Sequence, residues 1–272
     1  MVKINDLRGC FYPLTPKGIS CLVGDLPWHY GTDYTNVLYR ADPDEVKQYL
    51  PEPLEPAPDP GICYMAFSSW WSLSGGQPDM AFTNPERTQY HEAAIWAGCT
   101  FQGTPGQICL HIWVDKDFSM ARGWFMGFPK KIGQIEITDY QPRNPLMQPV
   151  GPGSSFKGYV VANGERLIEG SLKVECHLDD GKVPYPMGAP IFHIRYFPSI
   201  AKDARPSVLE LVRLGSENVN YGEEAWSGEG NLHFYPSEIE EHFGLRPKEI
   251  IGAYRYSSGY TFDGGEVLHQ WV

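Results

Sequence analysis

The chain has 272 residues, 42% hydrophobic and 20% charged, which suits a folded globular protein and excludes an intrinsically disordered one. It carries 22 basic and 33 acidic side chains, a net charge of −11. A phosphate backbone repels such a surface, so nucleic acid is excluded as a partner. No apolar run approaches the roughly 18 residues of a membrane span. The opening Met1-Val2-Lys3-Ile4-Asn5-Asp6-Leu7-Arg8 has no hydrophobic signal segment, so a cytoplasmic protein without membrane contact is expected.

Strand signals dominate, and they are read from β-branched and aromatic content between Gly and Pro turns. The first predicted strand covers 33–40. A short helix over 42–50 follows, with Asp42 as cap, Pro43 behind it and a stop at Pro51. Strands are predicted over 61–71, 89–100 and 107–114, then a helix over 115–122 ending at Gly123. Further strands are predicted over 133–140, 156–162, 167–176, 191–197, 208–214, 231–235 and 250–262, with a last short helix over 237–243 before Gly244. The stretch 141–155, with Pro142, Pro145, Pro149 and Pro152, reads as a surface loop. One domain over 1–272 is expected: mainly β (α+β with few short helices), closed into a barrel or stacked as two sheets. The dense aromatics, 13 Phe, 16 Tyr and 8 Trp, suit an aromatic-lined cavity.

The six cysteines (10, 21, 63, 99, 109 and 176) form no Cys-x-x-Cys pair and read as free thiols. The eight histidines show no metal-ligand spacing, so no metal and no cofactor are expected. The sharpest feature is Gly127-Phe128-Pro129-Lys130-Lys131-Ile132-Gly133. On extended backbone Lys130 and Lys131 point to opposite faces. One can therefore enter an apolar interior with Phe128 and Ile132 while the other faces out. A lysine in an apolar cavity loses solvation of its charged form, and a neutral amine can attack a carbonyl to form a Schiff base. An ionised carboxylate beside it would favour the ammonium, so Glu92 is expected to stand away from it or to be protonated.

Gly127-Phe128-Pro129-Lys130-Lys131 resembles the signature of the acetoacetate decarboxylase superfamily. The resemblance continues through Tyr39-Arg40-Ala41-Asp42, Leu50-Pro51-Glu52-Pro53-Leu54-Glu55, Glu224-Ala225-Trp226-Ser227-Gly228 and Pro247-Lys248-Glu249-Ile250. Pro27-Trp28-His29-Tyr30, Arg87-Thr88-Gln89-Tyr90 and Met120-Ala121-Arg122-Gly123-Trp124 are similar to its aldolase–dehydratase branch, whose members join pyruvate to aldehydes. The resemblance implies a cone-like β-barrel of the acetoacetate decarboxylase type, a hydrophobic active site and a homo-oligomer. It assigns the Schiff-base lysine to Lys130, its neighbour to Lys131 and the active-site glutamate to Glu92. The branch's two tyrosines fall on Tyr90 and Tyr260. Several positions depart from the pattern: the second glutamate falls near Cys63, the arginine near Thr32, a common Arg-Glu pair on Gly123-Trp124 and a glutamine on Met126.

Strand alternation supports the tyrosines. Tyr90, Glu92, Ala94 and Trp96 share one face, as do Tyr254, Tyr256, Ser258, Tyr260 and Phe262. Phe128 and Met126 are expected to wall the substrate site, with Lys131 beside it. Arg122 and Arg40 are the candidate cations for a substrate carboxylate, and Trp226 reads as a packing anchor. The expected activity is Schiff-base lyase chemistry on a short oxo acid, most simply aldol condensation and dehydration with an aldehyde. The alternatives are decarboxylation of acetoacetate or another β-oxo acid, and a non-catalytic small-molecule-binding barrel. Lys130→Ala and Lys130→Arg should abolish a borohydride-trapped oxo-acid adduct in mass spectrometry, since a guanidinium stays charged near neutrality. Lys131→Gln should lower trapping far less; equal losses would show that the faces are misassigned.

Overall fold

The computed structural model describes residues 3–179 and 181–272, and β-strands dominate them. In chain order they are β1 (Trp28–Arg40), β2 (Leu54–Pro56), β3 (Ile62–Ser74), β4 (Gln89–Phe101), β5 (Thr104–Val114), β6 (Lys130–Ile132), β7 (Gln134–Ile137) and β8 (Ser155–Ala162). There follow β9 (Glu165–His177), β10 (Phe192–Phe197), β11 (Val208–Leu214), β12 (Glu217–Tyr221), β13 (Trp226–Phe234), β14 (Glu249–Phe262) and β15 (Gly265–Gln270). Helices are short: α1 (Pro43–Lys47), α2 (Met80–Thr83) and α3 (Asp117–Met126).

The large sheet runs β6-β5-β4-β3-β1-β14-β13-β9-β8-β7, with β2 on β4 and β12 on β14. It is strongly curled into a half-barrel. Its two end strands, β6 and β7, are consecutive in the chain and meet at Gly133, so the chain itself links the edges. A smaller sheet, β10-β11-β15, lies beside it. One face of the curl holds the largest core, including Val37, Tyr39, Met65, Phe67, Ile95, Trp113, Ile168 and Leu172. The opposite face of β1, β3, β4 and β14 carries Tyr30, Tyr64, Trp70, Tyr90, Trp96 and Tyr256 in two smaller clusters. The period of two along each strand thus sends one row to the core and the next row to the site.

Most predicted strands are present with shifted ends. The expected strand over 133–140 is present as the shorter β7, separated by Gly133 from β6 before it. Gly133 donates to Val114 O at 2.9 Å, and a Cβ there would stand 3.0 Å from Trp113 Cβ. β6 therefore runs parallel to β5, whereas β7 crosses to pair with β8. β2, β6, β12 and β15 were not anticipated, being short or poor in apolar alternation; β12 is exposed throughout. α3 does not stop at Gly123 but continues to Met126, with Gly127 left-handed at φ 91°. The expected helix over 237–243 is a 3₁₀ turn over Glu241–Leu245. The six cysteines are unpaired, four of them buried. Among the described residues no helix is long and apolar enough to cross a membrane.

Buried His193 and half-buried His111 make the fold acid-sensitive. Burial lowers His193 to about 3, and burial aided by Lys131 lowers His111 to about 4. A depressed histidine keeps its full contribution above the unfolded value near 6.5 and loses it as pH falls through that value toward the folded one. Between pH 7 and pH 5 each group should cost about 2 kcal/mol of stability. The urea midpoint should fall over that range, and His193→Leu should make the fall shallower. An unchanged slope in that variant would exclude His193 as a cause.

Candidate active site

Lys130 is delivered by α3 and the turn after it. Phe128 N donates to Gly123 O at 2.9 Å, and Trp124 Nε1 donates to Lys130 O at 2.9 Å. A Cβ on Gly123 would lie only 2.4 Å from Lys130 Cδ, so this glycine leaves room for the lysine stem. Gly123 and Trp124 therefore both serve the lysine, one by leaving space and the other through a hydrogen bond. Lys130 is 5% exposed. Its Nζ donates to Glu92 Oε2 at 2.8 Å and to Ser119 Oγ at 3.0 Å. The same nitrogen stands 5.1 Å from the Tyr90 ring centroid and 5.4 Å from that of Phe128.

Glu92 is thus in contact with the lysine, which removes distance from the two expected alternatives and leaves a shared proton. The contact makes Glu92 a resident acceptor for the ammonium proton. Lys131 takes the other face: its Nζ bonds the buried Glu240 carboxylate and stands 5.5 Å from the Trp113 ring centroid. It does not line the cavity.

That cavity measures about 440 Å³, within the ordinary range of small-molecule sites. Lys130, Glu92, Tyr90, Tyr260, Phe128 and Met126 all line it. Strand register supplies the rest of the wall. Tyr30 pairs with Tyr260 and Tyr34 with Tyr256 across β1 and β14, their rings stacked at 4.9 and 4.8 Å. Trp70 faces Tyr90 across β3 and β4, and Ser68 faces Glu92. Burial raises the phenols of Tyr90 and Tyr260 well above the ordinary tyrosine value, with the Glu92 charge the second cause at Tyr90. At neutral pH they are therefore protonated donors.

Arg122 stands behind this wall. It is 5% exposed, bonds Ser72 Oγ and lies over the Trp28 and Tyr30 rings at 4.9 and 5.7 Å. Arg40 is away from the cavity, bonded to Asp59 at 2.9 Å and to Glu249. Arg213 lines the cavity, half-exposed and paired with Glu266. Cys63 points into the main core, and the adjacent Tyr64 takes the cavity side, donating to Gln107 Oε1 at 2.6 Å. Thr32 is buried next to Tyr30 and Tyr34. Sequence reasoning missed Ser119, Tyr34, Tyr64, Trp70 and Gln107. Alternation on β1 and β3 carries the signal for the aromatics, whereas no motif marks Ser119.

The family model for acetoacetate decarboxylase (ADC) matches residues 11–272. The chain belongs to the acetoacetate decarboxylase family. Among solved structures it is similar to the enduracididine biosynthesis enzyme MppR complexed with the condensation product of pyruvate and imidazole 4-carboxaldehyde. Identity is 31%, the TM-score is 0.89, and 98% of each chain is covered. It is also similar to an acetoacetate decarboxylase-like enzyme from Sphingomonas wittichii RW1, at 29% identity and TM-score 0.89, over 97% of this chain and 100% of that one. Acetoacetate decarboxylase of Chromobacterium violaceum is 28% identical over 245 residues, 88% of this chain and 87% of the relative. The protein is an enzyme of this family, a Schiff-base-forming lyase.

Gly123→Ala separates fold from site. Alanine favours a helix interior by about 1 kcal/mol over glycine. The new methyl group must push the Lys130 stem aside, and a displacement of about 1 Å can cost about a hundredfold in rate. The variant should lose most borohydride trapping while its thermal midpoint falls only modestly, because the helical gain offsets part of the strain on the buried lysine. Full trapping at wild-type rate would show that the lysine stem moves without consequence.

Proposed function

We propose that the protein condenses a pyruvate-like oxo acid with an aldehyde and eliminates water, or runs that reaction in reverse. The observation that carries this reading is the composition of the wall around the amine. Lys130 and Glu92 lie at a phenol-lined cavity in which, among the described lining residues, Glu92 is the sole carboxylate. Neutral phenol donors suit an oxo acid that keeps its carboxylate through the reaction. Tyr90 and Tyr260 donate to that carboxylate, and the Arg122 charge supports it from behind Tyr30. Met126 and Phe128 form the apolar side, and Lys131 anchors the strand from the outer face. A cavity of about 440 Å³ also accommodates an acceptor beside so small a donor.

Glu92 takes a proton from the Lys130 ammonium, and the amine adds to the ketone carbon. Proton return through Glu92 releases the carbonyl oxygen as water and leaves an iminium. Glu92 then removes a proton from the neighbouring carbon to give an enamine. The enamine carbon attacks the aldehyde, whose oxygen takes a proton from Tyr90 or Tyr260. The phenolate so formed removes a second proton from the carbon beside the iminium, and Glu92 returns its proton to the hydroxyl, which leaves as water while the C=C bond forms. Hydrolysis of the iminium then gives the unsaturated oxo acid and free Lys130. The MppR complex with the condensation product of pyruvate and imidazole 4-carboxaldehyde supports the choice of a pyruvate-like donor and an aldehyde. Self-association as a symmetric homo-oligomer is part of the proposal.

Decarboxylation of a β-oxo acid is the second reading, favoured by the curated relatives that are acetoacetate decarboxylases. The same iminium would then accept the electron pair released as CO2 departs. The two readings separate in one assay. Pyruvate with an aromatic aldehyde should produce a conjugated ultraviolet chromophore that Lys130→Ala cannot form. CO2 release from acetoacetate without any chromophore would instead establish the decarboxylase.

A further inference from the structure

We infer that Ser119 aims the electron pair of the Lys130 amine at the substrate carbonyl. This rests on the Schiff-base reading above. A tetrahedral amine nitrogen has four directions: its bond to Cε, two N–H bonds and the electron pair. Nothing in a free lysine decides which of the last three faces a guest. Here two acceptors decide it. Glu92 Oε2 lies 2.8 Å and Ser119 Oγ 3.0 Å from Nζ, and both residues are buried, at 4% and 1% exposure. With one N–H on each, the electron pair takes the remaining direction. Lys130 and Glu92 line the cavity, whereas Ser119 does not. Ser119 therefore holds the nitrogen from the side away from the guest.

The helix explains the placement. Ser119 and Gly123 are four residues apart on α3 and share a face. Gly123 clears the lysine stem, and Ser119 meets its tip one turn earlier. A serine hydroxyl suits the task because it is a neutral acceptor that serves the ammonium and the amine alike. A second carboxylate would instead add charge beside the pair. Alanine would leave an N–H without an acceptor and the nitrogen free to turn.

Protons balance without ionising Ser119. The ammonium's third proton, the one facing the cavity, passes by way of water to Glu92 Oε1, so both held N–H bonds stay in place. The electron pair it leaves faces the guest and forms the C–N bond as the carbonyl pair moves to oxygen. That oxygen takes the Glu92 proton. The nitrogen returns a proton to Glu92, which passes it to the hydroxyl, and water leaves as the C=N bond forms. Ser119 accepts an N–H bond from the ammonium and the amine, fixing the geometry of the first attack.

The test is rapid-quench borohydride trapping with pyruvate and with acetoacetate as probes. In Ser119→Ala the imine-forming rate at saturating probe should fall roughly tenfold, the loss of one well-placed hydrogen bond. The half-saturating concentration should stay at the wild-type value, and the thermal midpoint should fall only modestly, as a buried N–H loses its acceptor. Ser119→Cys, close in size but with a weak acceptor, should fall between serine and alanine. A wild-type trapping rate in Ser119→Ala overturns the inference. So does a loss confined to half-saturation or to the thermal midpoint, which would mark the hydroxyl as structural. If the wild-type protein traps neither probe, the Schiff-base reading itself fails, a result distinct from failure of the Ser119 role alone.

Discussion

An amine and a carboxyl group meet at 2.8 Å where water hardly reaches either of them. Breaking such a buried pair by removing one partner typically costs about 3–5 kcal/mol, so each residue commits the other to its place. Much of the surrounding architecture serves this contact. α3 must pass close to the lysine, which requires a residue without a side chain at Gly123. β6 must stop after three residues, and its outer lysine is held by Glu240 on the far face. The curl of the sheet must bring β4 beside β6 through β5 so that Glu92 reaches the amine.

The same curl makes the cavity. β1, β3, β4 and β14 present tyrosines and tryptophans in register, and their rings stack across neighbouring strands. Stacked rings give a rigid apolar wall whose hydroxyls are its polar points. Because burial holds these phenols protonated, the wall offers hydrogen bonds without offering charge. Arg122 adds a positive field from behind, in contact with aromatic faces and Ser72.

Core and site are also joined through the motif itself. Phe128 packs on His193 with ring centroids 4.1 Å apart, and His193 faces Trp96, which lines the cavity. His193 must stay neutral to remain buried there, so the protonation that weakens the fold acts on a residue touching the site.

Much of the fold and part of the site were legible in the chain. Alternation along β4 and β14 put Tyr90 with Glu92 and Tyr256 with Tyr260, and the lysine doublet divided itself between two faces. These are local facts, because a strand's side-chain period of two needs no knowledge of its neighbours. Local pattern did not reveal that Gly123 lies inside a helix, that a separate strand β6 precedes Gly133, or that Tyr64 replaces Cys63 on the cavity side. Nor did it reveal that Arg122 stays behind Tyr30. Glu92 and Ser119 lie 38 and 11 residues from Lys130. Only the curl of the sheet and the packing of α3 bring them to one nitrogen, because contacts between distant segments depend on how whole elements pack and not on any residue's neighbours in the chain.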